Sequence, residues 1–342
     1  MLYPAPLSRG SKVAITAFSS GVPAALHPRL DVVLNDLRIR GFEVLEGKCL
    51  RENAKHVSAS AEVRAKELMQ FLCDENVDAI MAPWGGEMAM DLLPLLDWNR
   101  LLHAKPKWIL GFSDVSTVLT SITTKLGWAT CHGTNLMQLS LNQTDALTSK
   151  VLDFLSLAEG SSFKQNNAHF YEAQYADYSK NPNAAFNLTE PVKWKVLNKG
   201  IREESSVTFS GRLTGGCLDI HMMLYGSEFF NPKACENESF ILYLENAELS
   251  PTQYFRALQG LKLQGAFNNV SGILIGRNAV LDNDSDPVSG TEALTMALGE
   301  LSIPVLYDVD IGHLAPNLTL INGALAKVEL TQTQGSITQT LI

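Results

Sequence analysis

Along roughly the first 130 residues, short apolar runs alternate with longer stretches in which apolar positions recur at helical spacing. The runs predict strands at 13–18, 42–45, 77–82, 107–112 and 128–131, and the stretches predict helices at 30–40, 61–73, 88–96 and 115–126. Such βα units build a parallel sheet covered on both faces, so residues 1–155 read as an N-terminal doubly wound α/β domain. The pattern breaks at 156–206, a polar, turn-rich segment around Asn181-Pro182-Asn183 that reads as a linker or insertion. Its aromatic residues Phe170, Tyr171, Tyr175, Tyr178 and Trp194, with His169, fit a cover over a cleft better than a bare connector. Residues 207–342 resume with strands expected at 206–213, 240–245, 270–275, 304–308, 318–322 and 327–330. Two helices are announced by capping boxes, Ser250-Pro251-Thr252-Gln253 and Ser289-Gly290-Thr291-Glu292. This part reads as a C-terminal β-rich α+β domain.

Charge narrows the partners. The chain has 36 acidic against 27 basic residues, a formal charge of -9, which disfavours a nucleic acid whose phosphates need clustered Lys and Arg. No apolar run reaches the roughly 18 residues of a membrane helix. The opening MLYPAPLSRGSKVAI lacks the basic-then-apolar order of a signal peptide, so a cytoplasmic protein is expected. Cys49, Cys73, Cys131, Cys217 and Cys235 have neither CxxC nor zinc spacing and read as reduced thiols, with no metal site.

In open parallel sheets, chemistry collects beyond the carboxyl ends of the strands. Two segments lie there. Gly111-Phe112-Ser113-Asp114 carries an apolar strand into a Ser at the mouth of a helix, where its hydroxyl faces outward; the same Ser also suits a helix N-cap. Gly85-Gly86 is a turn whose amides can approach an oxyanion, or simply a tight βα connection. A serine nucleophile needs a base and a group to orient it. His313, in the turn-rich stretch Gly312-His313-Leu314-Ala315-Pro316, and His132, after an apolar strand, are candidates for the base. Glu245 closes the apolar run Ile241-Leu242-Tyr243-Leu244, where a carboxylate is rarely idle, and Glu248 is its rival.

Together the Ser19-Ser20-Gly21, Gly85-Gly86, Gly111-Phe112-Ser113-Asp114, Gly211-Arg212-Leu213-Thr214-Gly215-Gly216, Leu244-Glu245, Gly272-Ile273-Leu274-Ile275-Gly276, Gly312-His313 and Asn322-Gly323 segments resemble the LD-carboxypeptidase family of serine peptidases, which includes the microcin C immunity peptidases. The resemblance spans nearly the whole chain. It implies an active site at the interdomain cleft, with a Ser-Glu-His triad in which Ser113 is the nucleophile, His313 the base then acid, and Glu245 its orienting partner. It further implies oxyanion donors at the backbone of Gly86 and Asp114, no cofactor or metal, and a homodimer acting on a small peptide-like substrate. Gly85, Glu87 and Cys217 become candidate substrate contacts. Three positions depart from the family: Cys217 stands where members carry Asn, Glu87-Met88 where the murein enzymes carry Tyr-Gly, and residues 246–249 lack the Lys that follows the catalytic Glu of the immunity peptidases. The implied reaction is hydrolysis of a murein tetrapeptide L,D-bond or of an aminoacyl-nucleotide amide. The competing reading is a non-enzymatic small-ligand binder on the same scaffold. A glutaminase-like amidotransferase would want Cys where this chain has Ser113.

Overall fold

The computed structural model describes residues 1–198, 206–231, 238–283 and 285–342. The first sheet is built from β1 (Lys12–Ile15), β2 (Glu43–Glu46), β3 (Ala79–Met81), β4 (Trp108–Gly111) and β5 (Thr130–His132). These five run parallel in the order β5-β4-β3-β1-β2. Helix α1 (His27–Ile39) packs Leu30, Val33, Leu34 and Leu37 onto one face with Val13 and Ile15, while α2 (Ala61–Cys73) and α4 (Val115–Leu126) cover the other with Ala14, Ile80 and Ile109. Both faces are therefore buried, as a doubly wound sheet requires. Between α2 and α4 lies the single turn α3 (Trp98–Leu101), and α5 (Val151–Phe154) follows β5.

The second sheet collects β6 (Ser162–Asn166), β9 (Lys195–Val196), β10 (Val207–Cys217), β11 (Phe240–Glu245), β12 (Val270–Gly276), β13 (Val305–Val309), β15 (Leu325–Leu330) and β16 (Gly335–Thr340), and a small hairpin pairs β7 (Phe170–Tyr171) with β8 (Glu190–Pro191). Its centre, β10 to β13, is parallel; its flanks are antiparallel. Helices α6 (Leu218–Leu224), α7 (Pro251–Leu263) and α8 (Gly290–Leu298) cover one face through Leu258, Leu261, Ala293 and Leu298 against Leu242, Leu244, Ile273 and Ile275. The expected capping boxes open the last two helices: Gln253 Oε1 accepts the Ser250 N–H at 3.0 Å, and Glu292 Oε2 accepts the Ser289 N–H at 2.7 Å. The architecture is thus mixed α/β with two parallel-rich sheets.

Several elements differ from the sequence pattern. The helix expected at 88–96 is a 3-10 segment, Met90–Leu95, in which Pro94 removes a backbone donor. The strand expected to stop at 213 runs on to Cys217, because Gly215 lies so close to β11 that a Cβ would meet the Tyr243 carbonyl. Gly215 and Gly216, beyond the expected end of the strand, let β10 stay paired with β11, Cys217 opposite Glu245. Residues 162–166 and 195–196 of the expected linker are strands of the second sheet. Finally, β14 (Leu320–Asn322) leaves the second sheet and pairs antiparallel with β5, at the edge of the first. Asn322 bridges the two sheets, its Oδ1 accepting the Tyr243 hydroxyl at 2.6 Å and its Nδ2 donating to Thr130 Oγ1 at 3.1 Å.

Among the described residues no helix is long and apolar enough to cross a membrane, and no cluster of three His, Cys, Asp or Glu side chains is disposed to hold a metal ion. Cys49, Cys73, Cys131 and Cys217 are free thiols; Cys235 lies outside the described residues.

Candidate active site

Strand β4 is wholly buried and ends at Gly111; two residues later Ser113 adopts φ +66°, a left-handed conformation that costs a non-glycine residue about 1–3 kcal/mol. The sharp turn projects its hydroxyl beyond the carboxyl end of the sheet just before α4 begins. Neighbours fix this turn. Asn135 Oδ1 accepts the Phe112 N–H at 3.0 Å, and the buried Asp114 carboxylate accepts the Thr117 hydroxyl at 3.0 Å and the Ala89 N–H at 2.9 Å. The last bond ties the Ser113 turn to the chain leaving Gly85-Gly86. Gly85 packs so tightly there that a Cβ would lie 2.7 Å from the Asp114 nitrogen and 2.8 Å from Ser113 Oγ. Among the described residues, the backbone N–H groups of Gly86 and Asp114 donate to no carbonyl.

The second sheet supplies the facing groups. Strand β11 ends in Glu245, whose side chain is fully buried, and the loop after β13 carries His313. His313 Nδ1 lies 2.8 Å from Glu245 Oε2, and its Nε2 lies 3.0 Å from Ser113 Oγ. Gly312, at φ +103°, allows the loop to pass Glu245: a Cβ there would come within 2.5 Å of Oε2. Phe112 sets its ring edge-on to His313 at 5.0 Å between centroids. Burial pushes the Glu245 carboxyl up, but the charge and hydrogen bond of His313 outweigh it and hold the group below the usual carboxylate range. Burial likewise pulls His313 down, and the Glu245 carboxylate outweighs that, leaving the imidazole above its ordinary value. The three side chains form one hydrogen-bonded line from hydroxyl to carboxylate.

The line opens onto a cavity of about 380 Å³ whose walls include Gly85, Gly86, Trp84 and, from the segment between β7 and β8, Tyr178. Tyr178 is backed by Arg29 of α1, whose guanidinium carbon sits 4.1 Å from the ring centroid. Arg29 is itself fully buried and donates to the carbonyls of Met137, Pro182 and Ala184.

The remaining sequence candidates fall elsewhere. Glu87 is exposed and does not line this cavity. Cys217 is buried behind Glu245, its thiol 3.5 Å from Asp219 Oδ2, and its N–H goes to Ser116 Oγ. Glu248 is exposed, whereas Glu245 holds the histidine. His132 is buried with neither ring nitrogen hydrogen-bonded, and burial pushes its pKa down to about 4, so it stays neutral and apart from Ser113. The sequence reading missed Asp114 as a carboxylate bridge, Asn135 and Arg29. Of these only Asp114 had a local signal, its place directly after the serine.

The strained serine, the imidazole and the buried carboxylate thus stand in line between two sheet ends of a two-domain α/β architecture, and the family matched by this architecture is one of serine hydrolases. The chain belongs to the LD-carboxypeptidase family of serine peptidases: residues 13–133 match the model of its N-terminal domain and residues 210–328 that of its C-terminal domain. It is 29% identical over 342 residues to the microcin C7 self-immunity protein MccF of Escherichia coli, covering 99% of this chain and 96% of that one. To the Bacillus subtilis protein named "Probable murein peptide carboxypeptidase" it is 25% identical over 332 residues, with 96% and 92% covered. Its fold matches that of MccF in complex with aspartyl sulfamoyl adenosine at a TM-score of 0.84, with 24% identity over 99% of this chain and 98% of the other. An MccF-like protein from Bacillus anthracis matches at 0.80, with 22% identity over the full length of both.

Proposed function

We propose that this protein is a serine amidase that cleaves an aminoacyl-nucleotide amide through an acyl-enzyme, with Ser113, His313 and Glu245 as its triad. The observation that carries the reading is the continuous line Glu245 Oε2, His313, Ser113 Oγ, with spacings of 2.8 and 3.0 Å, ending at a strained serine on a cavity. Ser113 Oγ attacks the amide carbonyl as His313 Nε2 takes its proton, and Glu245 stabilises the resulting imidazolium. The Gly86 and Asp114 amides, unused by other carbonyls, stabilise the oxyanion. His313 then protonates the leaving nitrogen, the acyl group stays on Ser113, and water activated by the same imidazole releases it. No cofactor enters this scheme. The Trp84 and Tyr178 walls give a planar leaving group two aromatic surfaces, which favours a nucleotide over the aliphatic amino acid released from a murein tetrapeptide. In keeping with the family resemblance, the reading places the enzyme in the cytoplasm as a homodimer, and sedimentation of the purified chain tests the latter.

The deciding experiment is chromatography of products after incubation with an aminoacyl sulfamoyl-adenosine and, separately, murein tetrapeptide, alongside fluorophosphonate labelling. Cleavage of the first with Ser113 labelled is the expected result. Cleavage of the tetrapeptide alone would move the substrate to the murein class, and binding without labelling or turnover would leave a ligand-binding protein.

A further inference from the structure

The carboxyl end of β12 lies beside that of β11, and the residue that follows it, Arg277, is almost wholly buried. Its guanidinium reaches across to the His313 loop. Nη1 donates to Asp310 Oδ1 at 2.8 Å, while Nη2 donates to the carbonyls of Leu314 at 3.0 Å and Pro316 at 3.3 Å. One planar group thus grips the loop three residues before the histidine and again one and three residues after it. Asp310, with no exposed surface, spends its second oxygen on the inserted segment, accepting the Trp194 indole N–H at 2.7 Å and the Ala168 N–H at 3.2 Å. The same segment returns the contact: Tyr171 lies 4.8 Å below the guanidinium carbon, and the Glu172 N–H donates to the Ala315 carbonyl at 2.8 Å.

Resting on the triad reading above, we propose that Arg277, paired with Asp310, is a positioning residue of the hydrolytic centre, holding His313 in line with Ser113 by clamping both ends of its loop. A buried ion pair is by itself a weak source of stability, because desolvating both charges offsets their attraction, and apolar side chains would fill the space as well. Apolar side chains would not supply directed bonds to Leu314 and Pro316. The task needs a fork of several donors in one plane, which Arg has and Lys lacks. The pair is internally neutral, so it acts on His313 through geometry. The groups that face the imidazole electrostatically are Glu245 from β11, Asp219 from α6, Glu248 beyond β11 and His132 from β5.

The test is the rate at which a fluorophosphonate labels Ser113, measured against pH in the full chain well below its melting temperature, for wild type, Arg277→Met, Arg277→Lys and Asp310→Asn. Loosening a reacting group by about an ångström costs on the order of 100-fold. Folded Arg277→Met is therefore expected to label roughly 10- to 100-fold more slowly, with a lower pH midpoint because the histidine drifts from Glu245, and Arg277→Lys to recover part of the rate. Folded Arg277→Met labelling at the wild-type rate and midpoint would overturn the proposal, since a purely structural pair would change the melting temperature alone. Should Arg277→Met fail to fold, Arg277→Lys and Asp310→Asn decide by the same criteria. Wild-type protein that does not label would instead remove the triad reading on which the clamp rests.

Discussion

On the Ser113 side of the cleft the proposed nucleophile is held by its own neighbourhood. Phe112, Asp114 and Thr117 share its turn, and the partners Gly85, Ala89 and Asn135 lie within about 30 residues of it in sequence. On the His313 side the holding groups come from three separate segments: Ala168 and Trp194 of the inserted segment, Glu245 at the end of β11 and Arg277 after β12. The first side has its left-handed non-glycine residue at Ser113 itself; on the second that residue is Asp308, five positions before the histidine, and remote strand ends are brought together. A nucleophile has to be presented at a fixed angle, which a strained turn does cheaply. A base that accepts and returns a proton has to be held in line with two partners at once, and that takes a surrounding of directed hydrogen bonds.

The largest effect should come from the local side. Ser113→Ala and Ser113→Gly should each lose on the order of 10⁴–10⁶ in turnover, as for other triad nucleophiles. They should differ in stability, because glycine relieves the left-handed strain: the Gly variant is expected to be more stable than the Ala variant by about 1 kcal/mol, and so to melt higher. Equal melting by calorimetry would mean that Ser113 carries no strain and that the contrast between the two sides is unfounded.

Glu245→Gln should come next, at about 10³–10⁴-fold, by analogy with the loss of an orienting carboxylate in other triads. It also reads the remote side through pH. Activity needs a neutral His313, whose pKa is raised by Glu245 against the pull of burial, so wild-type activity rises with pH through a midpoint above the ordinary histidine value of about 6.5. Removing the carboxylate leaves burial unopposed and the midpoint should fall. A midpoint unchanged in the pH profile of kcat/KM would separate Glu245 from the proton transfer.

Gly85→Ala tests how closely the local side is packed. Its Cβ must displace the Asp114 amide or Ser113 Oγ, and a loss of roughly 10²–10³ in kcat, the scale of one missing oxyanion donor, is expected in steady-state assays. Wild-type kcat in this variant would show that the Gly-Gly turn stands clear of the chemistry. The smallest effect belongs to the inserted segment. Tyr178→Ala should raise KM about tenfold for an aminoacyl-nucleotide while leaving KM for a minimal aminoacyl amide and kcat for both unchanged, since it removes one aromatic wall. Equal KM changes on both substrates would make the segment a connector only.

The same contrast governs what could be read from sequence. Strand β4, the Ser113 turn and the Gly85-Gly86 turn were legible because strand, turn and helix follow one another within a dozen residues and obey local rules. Both capping boxes were legible for that reason too. Glu245 and His313 had a local hint, an acid closing an apolar strand and a histidine among turn residues, but their partnership came from family resemblance. Arg29, Arg277 and Asp310 carried no readable signal: their partners lie 108, 33 and 116 residues away along the chain. Strand β16, with the polar sequence Gly-Ser-Ile-Thr-Gln-Thr, was missed because it is defined by pairing with β15 and β6 rather than by its own hydrophobicity. The inserted segment looked like a linker because its strands are two to five residues long.

Strand β14 has a further consequence for how the molecule could be cut or rearranged. It is laid into the first sheet beside β5, while β13 before it and β15 after it remain in the second. The chain is therefore sewn through both halves. A gene fragment ending near residue 155 would produce a first sheet with β5 as a bare edge, its Thr130, Cys131 and His132 backbone groups open to any passing strand, and such edges seed association. Recombination that swaps the two halves between relatives should accordingly succeed only when this short stitch is inherited together with the sheet it closes.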